Sequence, residues 1–183
     1  VIQAIQFFLD PKGLKLSRRK IIVSTSGLIL PLPELAKTGV RLAISLNATT
    51  DELRSQIMPV NKKHSIAELI AAAKQYGETV KQSVMIEYIL LKGLNDSTED
   101  ADRLFELTHG WDCKVNLIPY NPFGGTPYLR PDPQQVKLFQ HSLVSRGITA
   151  TVRYSGGDDI LAACGQLKSL DAQMKRGFSP PKK

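Results

Sequence analysis

The sequence has 183 residues, of which 42% are hydrophobic and 22% are charged, as in an ordinary soluble globular protein. This composition excludes a wholly disordered or collagen-like chain, and no apolar stretch approaches the roughly 18 residues of a membrane-spanning helix, which excludes a membrane-spanning chain. The formal net charge of +7 favours a polyanionic partner. Cys113 and Cys164 are too few for a disulfide framework, so a cytoplasmic location is expected.

Helical and extended patterns alternate along the chain. Val1 lies inside an apolar periodic stretch, so we expect the sequence to be part of a longer polypeptide. The pattern predicts, in order, a helix over residues 1–8, a strand over 20–25, a helix over 32–37, a strand over 41–46, a helix over 65–76, a strand over 84–91, a helix over 97–107, a strand over 114–120, a helix over 133–145 and a strand over 149–154. Ser65 and Glu68 form a capping-box pattern at the start of the third helix. All five strands are predicted to be buried.

This alternation predicts βαβ units and a parallel sheet. The sequence has no Gly-x-Gly-x-x-Gly turn, which argues against a dinucleotide-binding sheet. We therefore expect an α/β fold that forms the C-terminal portion of an incomplete parallel β/α barrel over residues 1–170, although the pattern alone does not decide between a curled and an open sheet. Residues 171–183 are expected to form a basic, poorly ordered tail.

Polar or glycine-rich segments follow four of the predicted strands. They are STSG (residues 24–27), SLN (45–47), YNPF (120–123) and SGGDD (155–159). In parallel β/α folds the carboxyl ends of the strands meet at one edge, where ligands bind. Such residues can hydrogen-bond ribose hydroxyls, an amino-acid carboxylate or a nucleobase. The alternative is that they are only turn and cap residues.

Two further side chains allow more than one interpretation. Cys164, ten residues beyond the last predicted strand, is either a reactive thiol or a small buried hydrophobe beside alanines. Glu87, inside the apolar run MIEYILL, is either a site residue or a paired structural acid. Cys113, by contrast, is expected to be structural.

The remaining charged groups are less informative. The basic run over residues 12–20 contains three lysines and two arginines, which suits phosphate contact or a solvated face. His64, His109 and His141 have no metal-ligand spacing, so no zinc site is predicted.

Five motifs follow one another along the chain: VSTSG, AISLNATTDELRSQIMPVNKKH, IEYILLKGLNDS, VNLIPYNPFGGTPY and VRYSGGDDILAACGQL. Together they resemble the C-terminal part of the radical-SAM methyltransferases that act on carbon 2 of adenine in 23S rRNA and tRNA, the RlmN/Cfr family. The resemblance covers the chain from Val1 to about Leu170 and implies that residues 1–170 are the C-terminal part of a radical-SAM core domain.

The resemblance also implies a mechanism, because carbon 2 of adenine is electron-poor and cannot attack the methyl group of S-adenosyl-L-methionine directly. A methyl group would first move to a protein cysteine. Reductive cleavage of a second S-adenosyl-L-methionine at a 4Fe–4S cluster would then start radical transfer of that carbon to the base. The implied partners are 23S rRNA, tRNA and an electron donor such as flavodoxin, and the protein is expected to be a monomer.

Motif matching implies roles for particular residues. Cys164 in AACGQL matches the cysteine that carries the methyl group. Five positions match residues that bind S-adenosyl-L-methionine: Ser24, Ser45, Leu46, Asn47 and Asn121. Asn47 stands where some members have histidine. The chain lacks the C-x-x-x-C-x-x-C cluster motif, so the cluster ligands are expected upstream of Val1 and the chain alone is expected to be inactive.

The residues and the resemblance are also compatible with three other functions. The net charge suits a non-catalytic RNA-binding module, although aromatic residues, at 7%, offer little stacking surface. The Gly-Gly-Asp-Asp turn is also compatible with a metabolic enzyme that has a phosphate site. A paralogue that methylates carbon 8 and confers resistance to ribosome-targeting drugs would share the family motifs.

Overall fold

Five parallel strands form one sheet, and a helix connects each strand to the next. The computed structural model describes residues 1–122 and 126–154. The predicted tail, the SGGDD segment and Cys164 therefore lie outside the described residues, as does Phe123 of YNPF.

The elements agree with the predicted ones to within four residues at their ends. The helices are α1 (Ile2–Leu9), α2 (Leu32–Ala36), α3 (Asp51–Ile57), α4 (Ile66–Val80), α5 (Thr98–Thr108) and α6 (Pro133–Val144). The strands are β1 (Ile22–Thr25), β2 (Arg41–Ser45), β3 (Val84–Leu90), β4 (Cys113–Pro119) and β5 (Ala150–Val152). Two short 3₁₀ helices, Arg18–Lys20 and Pro59–Lys62, complete the described part.

The helix caps show which predicted helix bounds hold and which do not. The predicted capping box at Ser65 is confirmed, because its hydroxyl accepts from the Glu68 amide while the Glu68 carboxylate accepts from the Ser65 amide. The helix continues past Gly77 and ends at Lys81, whose φ of +56° is left-handed. The unpredicted α3 is capped by the Thr50 hydroxyl, which accepts from the Leu53 amide.

The order of the strands supports the barrel prediction. The strands lie in the order β1-β2-β3-β4-β5, so every crossover moves in the same direction across the sheet. Right-handed crossovers that all move one way place their helices on one face of the sheet, as in a β/α barrel. A doubly wound sheet would reverse direction at a switch point. The structure thus has the all-parallel α/β architecture expected of part of a barrel.

The helix-covered face carries the core. Side chains such as Ile44 on β2, Ile86 on β3 and Leu117 on β4 are fully buried. Tyr88 stacks on Phe139 of α6 with ring centroids 5.6 Å apart. Each fully buried aliphatic side chain contributes about 1.5–3 kcal/mol of transfer free energy, and this layer therefore holds the strands in register.

The other face of the sheet is only partly buried and mixes polar with apolar side chains, contrary to the prediction that the strands are buried. Along β3 buried and half-buried residues alternate, and Glu87 lies on the half-buried side. The strand register aligns Ser45 with Glu87 and Glu87 with Asn116, so these side chains share that face. The apolar run MIEYILL concealed this alternation because Met and Ile surround the single acid.

Candidate functional site

The polar strand ends predicted from the sequence meet at one edge of the sheet. Ser24 lies near the end of β1, Ser45 ends β2, and Asn121 follows β4 by two residues. Because all the strands are parallel, these positions share the carboxyl edge. Neighbouring strands are about 4.8 Å apart, so Ser24 and Ser45, on adjacent strands, can contact one small ligand, and Asn121 lies two strands beyond Ser45.

Glu87 links two of these side chains. Its Oε2 accepts a hydrogen bond from the Ser24 hydroxyl at 3.1 Å and a longer one from the Ser45 hydroxyl at 3.5 Å. Ser24 is exposed, whereas Ser45 and Glu87 are half-buried. One carboxylate oxygen therefore links β1, β2 and β3 on the partly buried face of the sheet.

Asn47 extends the β2–β3 pairing beyond the end of β2. Its Oδ1 accepts from the Ile89 amide at 2.9 Å, and its Nδ2 lies 3.2 Å from the Met58 sulfur. Its φ of +59° is left-handed, a conformation that asparagine tolerates better than most residues. The side-chain oxygen of Asn47 is thus committed within the protein. Leu46 is fully buried, and its amide donates to the Glu87 carbonyl oxygen at 2.9 Å.

The loops after β1 and β2 are joined by Arg54, a fully buried guanidinium on α3. Its nitrogens donate to four oxygens: Ser26 O at 2.7 Å, Ser45 O at 2.9 Å, Leu46 O at 2.9 Å and Asn61 Oδ1 at 2.9 Å. Burial lowers the pKa of Arg54 from its ordinary value, and the nearby carboxylate of Asp51 opposes that shift.

Gly27 makes room for this guanidinium. A Cβ atom at Gly27 would lie 3.3 Å from Arg54 Nη2 and 3.4 Å from Val60, and the φ of Gly27 is +134°. A larger residue would therefore meet both strain and crowding. The glycine of the STSG motif thus has a packing role at the mouth of the sheet.

A second buried amide fixes the loop after β3. The Asn95 Nδ2 donates to Asn47 O at 2.8 Å and to Ile89 O at 2.7 Å, and its Oδ1 accepts from the Leu91 amide at 2.7 Å. Asn95 has no solvent exposure. These bonds hold the loop that bears Asn47 against the end of β3.

Asn121 has a side-chain donor without a partner in the described part of the chain. Its Oδ1 accepts from Arg130 at 3.3 Å, whereas its buried Nδ2 has no hydrogen-bond partner within residues 1–122 and 126–154. A buried donor without a partner costs about 1–3 kcal/mol, and such groups often face a ligand or an ordered water. Within the described residues Asn121 thus presents an unpaired donor at the carboxyl edge.

The described residues do not provide a metal or cluster site. No group of three His, Cys, Asp or Glu side chains in that part of the chain could hold a metal ion. Cys113 is buried, and burial raises the pKa of its thiol to about 12, so it does not suit the thiolate ligation of a 4Fe–4S cluster. Its Sγ lies 3.3 Å from the Thr108 carbonyl oxygen, in agreement with the structural role expected for it.

Sequence reasoning found the strand-end residues but missed the groups that hold them. Arg54 and Asn61 belong to polar stretches typical of a surface, and nothing local marks them as buried. Their presence within the longest family-like motif, residues 43–64, was the one available signal. Glu87 was noticed, but its hydroxyl partners were not.

Comparison with known proteins assigns the family. Over 182 residues the chain is 44% identical to a protein of Syntrophotalea carbinolica named "Dual-specificity RNA methyltransferase RlmN", a match that covers 99% of this chain. Over 177 residues it is 47% identical to the protein of that name in Methylocella silvestris, covering 96% of the chain. By sequence, the chain belongs to the RlmN family.

The structural comparison agrees with this assignment. A radical SAM methyltransferase from Sphaerobacter thermophilus superposes with a TM-score of 0.86 at 43% identity, over 90% of this chain and 49% of that one. No family model matches the chain. The chain spans about half the length of the curated relatives it matches, 48% and 44% for the two named above. No described helix is long and apolar enough to cross a bilayer.

Proposed function

We propose that this chain forms the ligand-binding part of a radical S-adenosyl-L-methionine-dependent enzyme that methylates carbon 2 of adenine in 23S rRNA and tRNA. The observation that carries the proposal is the carboxyl edge of the sheet. There the hydroxyls of Ser24 and Ser45 and the open Nδ2 of Asn121 lie at the positions expected to bind S-adenosyl-L-methionine. The names of the RlmN relatives and of the Sphaerobacter thermophilus structure support it.

S-adenosyl-L-methionine suits this edge because it presents an α-ammonium group, a carboxylate, two ribose hydroxyls and an adenine ring. Hydroxyl and amide side chains are suited to such groups. The side chain of Asn47 is engaged with Ile89, so in this proposal Asn47 contributes through the loop geometry that it sets. Leu46 contributes by its backbone and its burial.

Cys164 is proposed as the methyl-carrying thiol, and it lies outside the described residues. The 4Fe–4S cluster, when bound, supplies the electron for reductive cleavage of S-adenosyl-L-methionine. The described residues contain no group that could hold it, so this proposal assigns them no cluster ligand. The described residues bind and orient the ligand and exclude water from one side of it.

The methyl-carrier proposal is tested by mass spectrometry of the complete natural polypeptide that carries this sequence, produced with its cluster. Tryptic peptides are searched for one added methylene unit on Cys164, with the Cys113 peptide as an internal control. The adduct on Cys164 alone is expected. An unmodified Cys164 thiol in cluster-loaded protein would contradict the carrier role.

The reaction is tested by supplying S-adenosyl-L-methionine with a deuterated methyl group, a reductant, and either a 23S rRNA fragment or tRNA. Nucleosides are then analysed for methyladenosine, and carbon-2 labelling of both RNAs is expected. Labelling of carbon 8 would instead indicate the resistance paralogue. RNA binding without labelling, unaffected by Cys164→Ala, would indicate the non-catalytic RNA-binding module.

A further inference from the structure

Glu87 accepts hydrogen bonds from two hydroxyls that face the ligand edge. The sequence left open whether this acid is a site residue or part of a structural ion pair. Among the described residues it forms no ion pair, and its side-chain partners are Ser24 and Ser45. Within the described residues, an ion-pairing role therefore does not explain a carboxylate on this face.

The backbone of Glu87 is held firmly. It lies in the fourth position of the seven-residue strand β3, and its carbonyl oxygen accepts from the Leu46 amide at 2.9 Å. Its neighbours in the register are Ser45 on one side and Asn116 on the other. The carboxylate is consequently presented from a rigid element rather than from a loop.

The direction of these hydrogen bonds limits what the serines can bind. A serine hydroxyl has one hydrogen to donate and two lone pairs that accept. An ionised carboxylate only accepts, so the Ser24 hydroxyl directs its hydrogen to Glu87 at 3.1 Å, and the Ser45 hydroxyl does so over a longer 3.5 Å. The remaining capacity of both oxygens is for accepting, and a ligand group that contacts them has to be a donor.

We propose that Glu87 is a positioning residue that fixes Ser24 and Ser45 as hydrogen-bond acceptors, so that this part of the site takes the donor groups of the ligand. This inference rests on the proposed function, in which the ligand is S-adenosyl-L-methionine. Its donors of this kind are the ribose hydroxyls and the α-ammonium group. The charge of Glu87 attracts the cationic sulfonium and ammonium groups and repels the ligand carboxylate.

The test uses Glu87→Gln in the complete natural polypeptide. The amide has the same shape, but it carries no charge and its nitrogen can donate to one of the hydroxyls, which frees the serine hydrogens. Glu78→Gln is the matched control, because Glu78 is exposed near the C-terminal end of α4. This end of the helix lies at the amino edge of the sheet, away from the ligand edge. That placement follows from Tyr76, whose hydroxyl donates to the Val40 carbonyl oxygen just before β2.

Three probes are titrated by calorimetry: S-adenosyl-L-methionine, methylthioadenosine, and the 2′,3′-dideoxy form of methylthioadenosine. Glu87→Gln is expected to lower the affinity for S-adenosyl-L-methionine about ten-fold, as for the loss of one hydrogen bond to a charged group. If the ribose hydroxyls are the donors, the substitution lowers the affinity for methylthioadenosine by the same factor. If the ammonium group is the donor, the affinity for methylthioadenosine does not change. In both cases the affinity for the dideoxy probe does not change, and Glu78→Gln binds all three probes as the unsubstituted protein does.

Two results would overturn the inference while the proposed function stands. One is unchanged affinity of Glu87→Gln for S-adenosyl-L-methionine. The other is an equal loss for all three probes, which would indicate general loosening of the site. Absence of binding to the unsubstituted, cluster-loaded protein would overturn the proposed function and this inference together.

Thermal melting establishes whether Glu87→Gln is folded. If it is not, Ser24→Ala replaces it in the same titrations, because it removes one of the two acceptors directly. The same dependence on the probe is expected, and an unchanged affinity for S-adenosyl-L-methionine would overturn the proposal.

Discussion

Arg54 is the residue whose replacement should destabilise the ligand edge most. Arg54→Ala leaves four buried or half-buried oxygens without their donor, and these oxygens belong to the loops after β1 and β2 and to Asn61. Each stranded acceptor costs about 1–3 kcal/mol, and water that enters the vacated volume satisfies some of them. We therefore expect the free energy of unfolding to fall by about 3–5 kcal/mol, comparable to breaking a buried charged pair.

Urea unfolding followed by circular dichroism measures this loss. Arg19→Ala is the matched control, because Arg19 is exposed in the 3₁₀ helix before β1, and a change within about 0.5 kcal/mol is expected. Arg54→Lys keeps the charge but cannot reproduce the planar fork, so an intermediate loss is expected. If Arg54→Ala lowered the free energy of unfolding no more than Arg19→Ala does, the Arg54 hydrogen bonds would not stabilise this edge.

Three further predictions concern single positions. Asn95→Ala removes a buried amide that makes three hydrogen bonds and should lower the free energy of unfolding by about 2–4 kcal/mol in urea titration; a loss below that of Arg19→Ala would contradict this. Lys81→Gly relieves the left-handed φ of +56° after α4 and should raise stability by about 0.5–1 kcal/mol, seen as a higher melting temperature rather than a lower one. Because burial raises the pKa of Cys113 from 9.0 to about 12, its protonated thiol stabilises the fold below pH 9 and this contribution is lost as pH rises toward 12. Peptide-level mass spectrometry after iodoacetamide treatment at pH 8 should find Cys113 unmodified until urea unfolds the protein, and rapid labelling of folded protein would contradict its burial.

The strands and most helices were predictable because their signals are local. Branched residues followed by Gly, Asn or Pro predicted all five strands, and the Ser65–Glu68 capping box predicted the start of α4. The polar ends at Ser24, Ser45 and Asn121 were also visible, since the parallel arrangement alone requires that such ends share an edge.

What could not be predicted depends on contacts between distant segments. α3 buries Arg54 instead of an apolar stripe, so it has no hydrophobic period, and the guanidinium reaches Ser26, which is 28 positions away. The partners of Glu87 lie 63 and 42 positions away, at Ser24 and Ser45. No local pattern contains information on such pairings, and only the assembled sheet brings these groups together.

Calorimetric titration of the complete, cluster-loaded polypeptide with S-adenosyl-L-methionine tests most directly whether the carboxyl edge is a ligand site. Asn121→Ala removes the open buried donor, and Gln134→Ala removes an exposed amide on α6 as the matched control. We expect saturable binding that Asn121→Ala weakens by about 1–3 kcal/mol and that Gln134→Ala leaves unchanged. Equal affinity of the unsubstituted protein and Asn121→Ala, or no binding at all, would contradict the assignment of this edge.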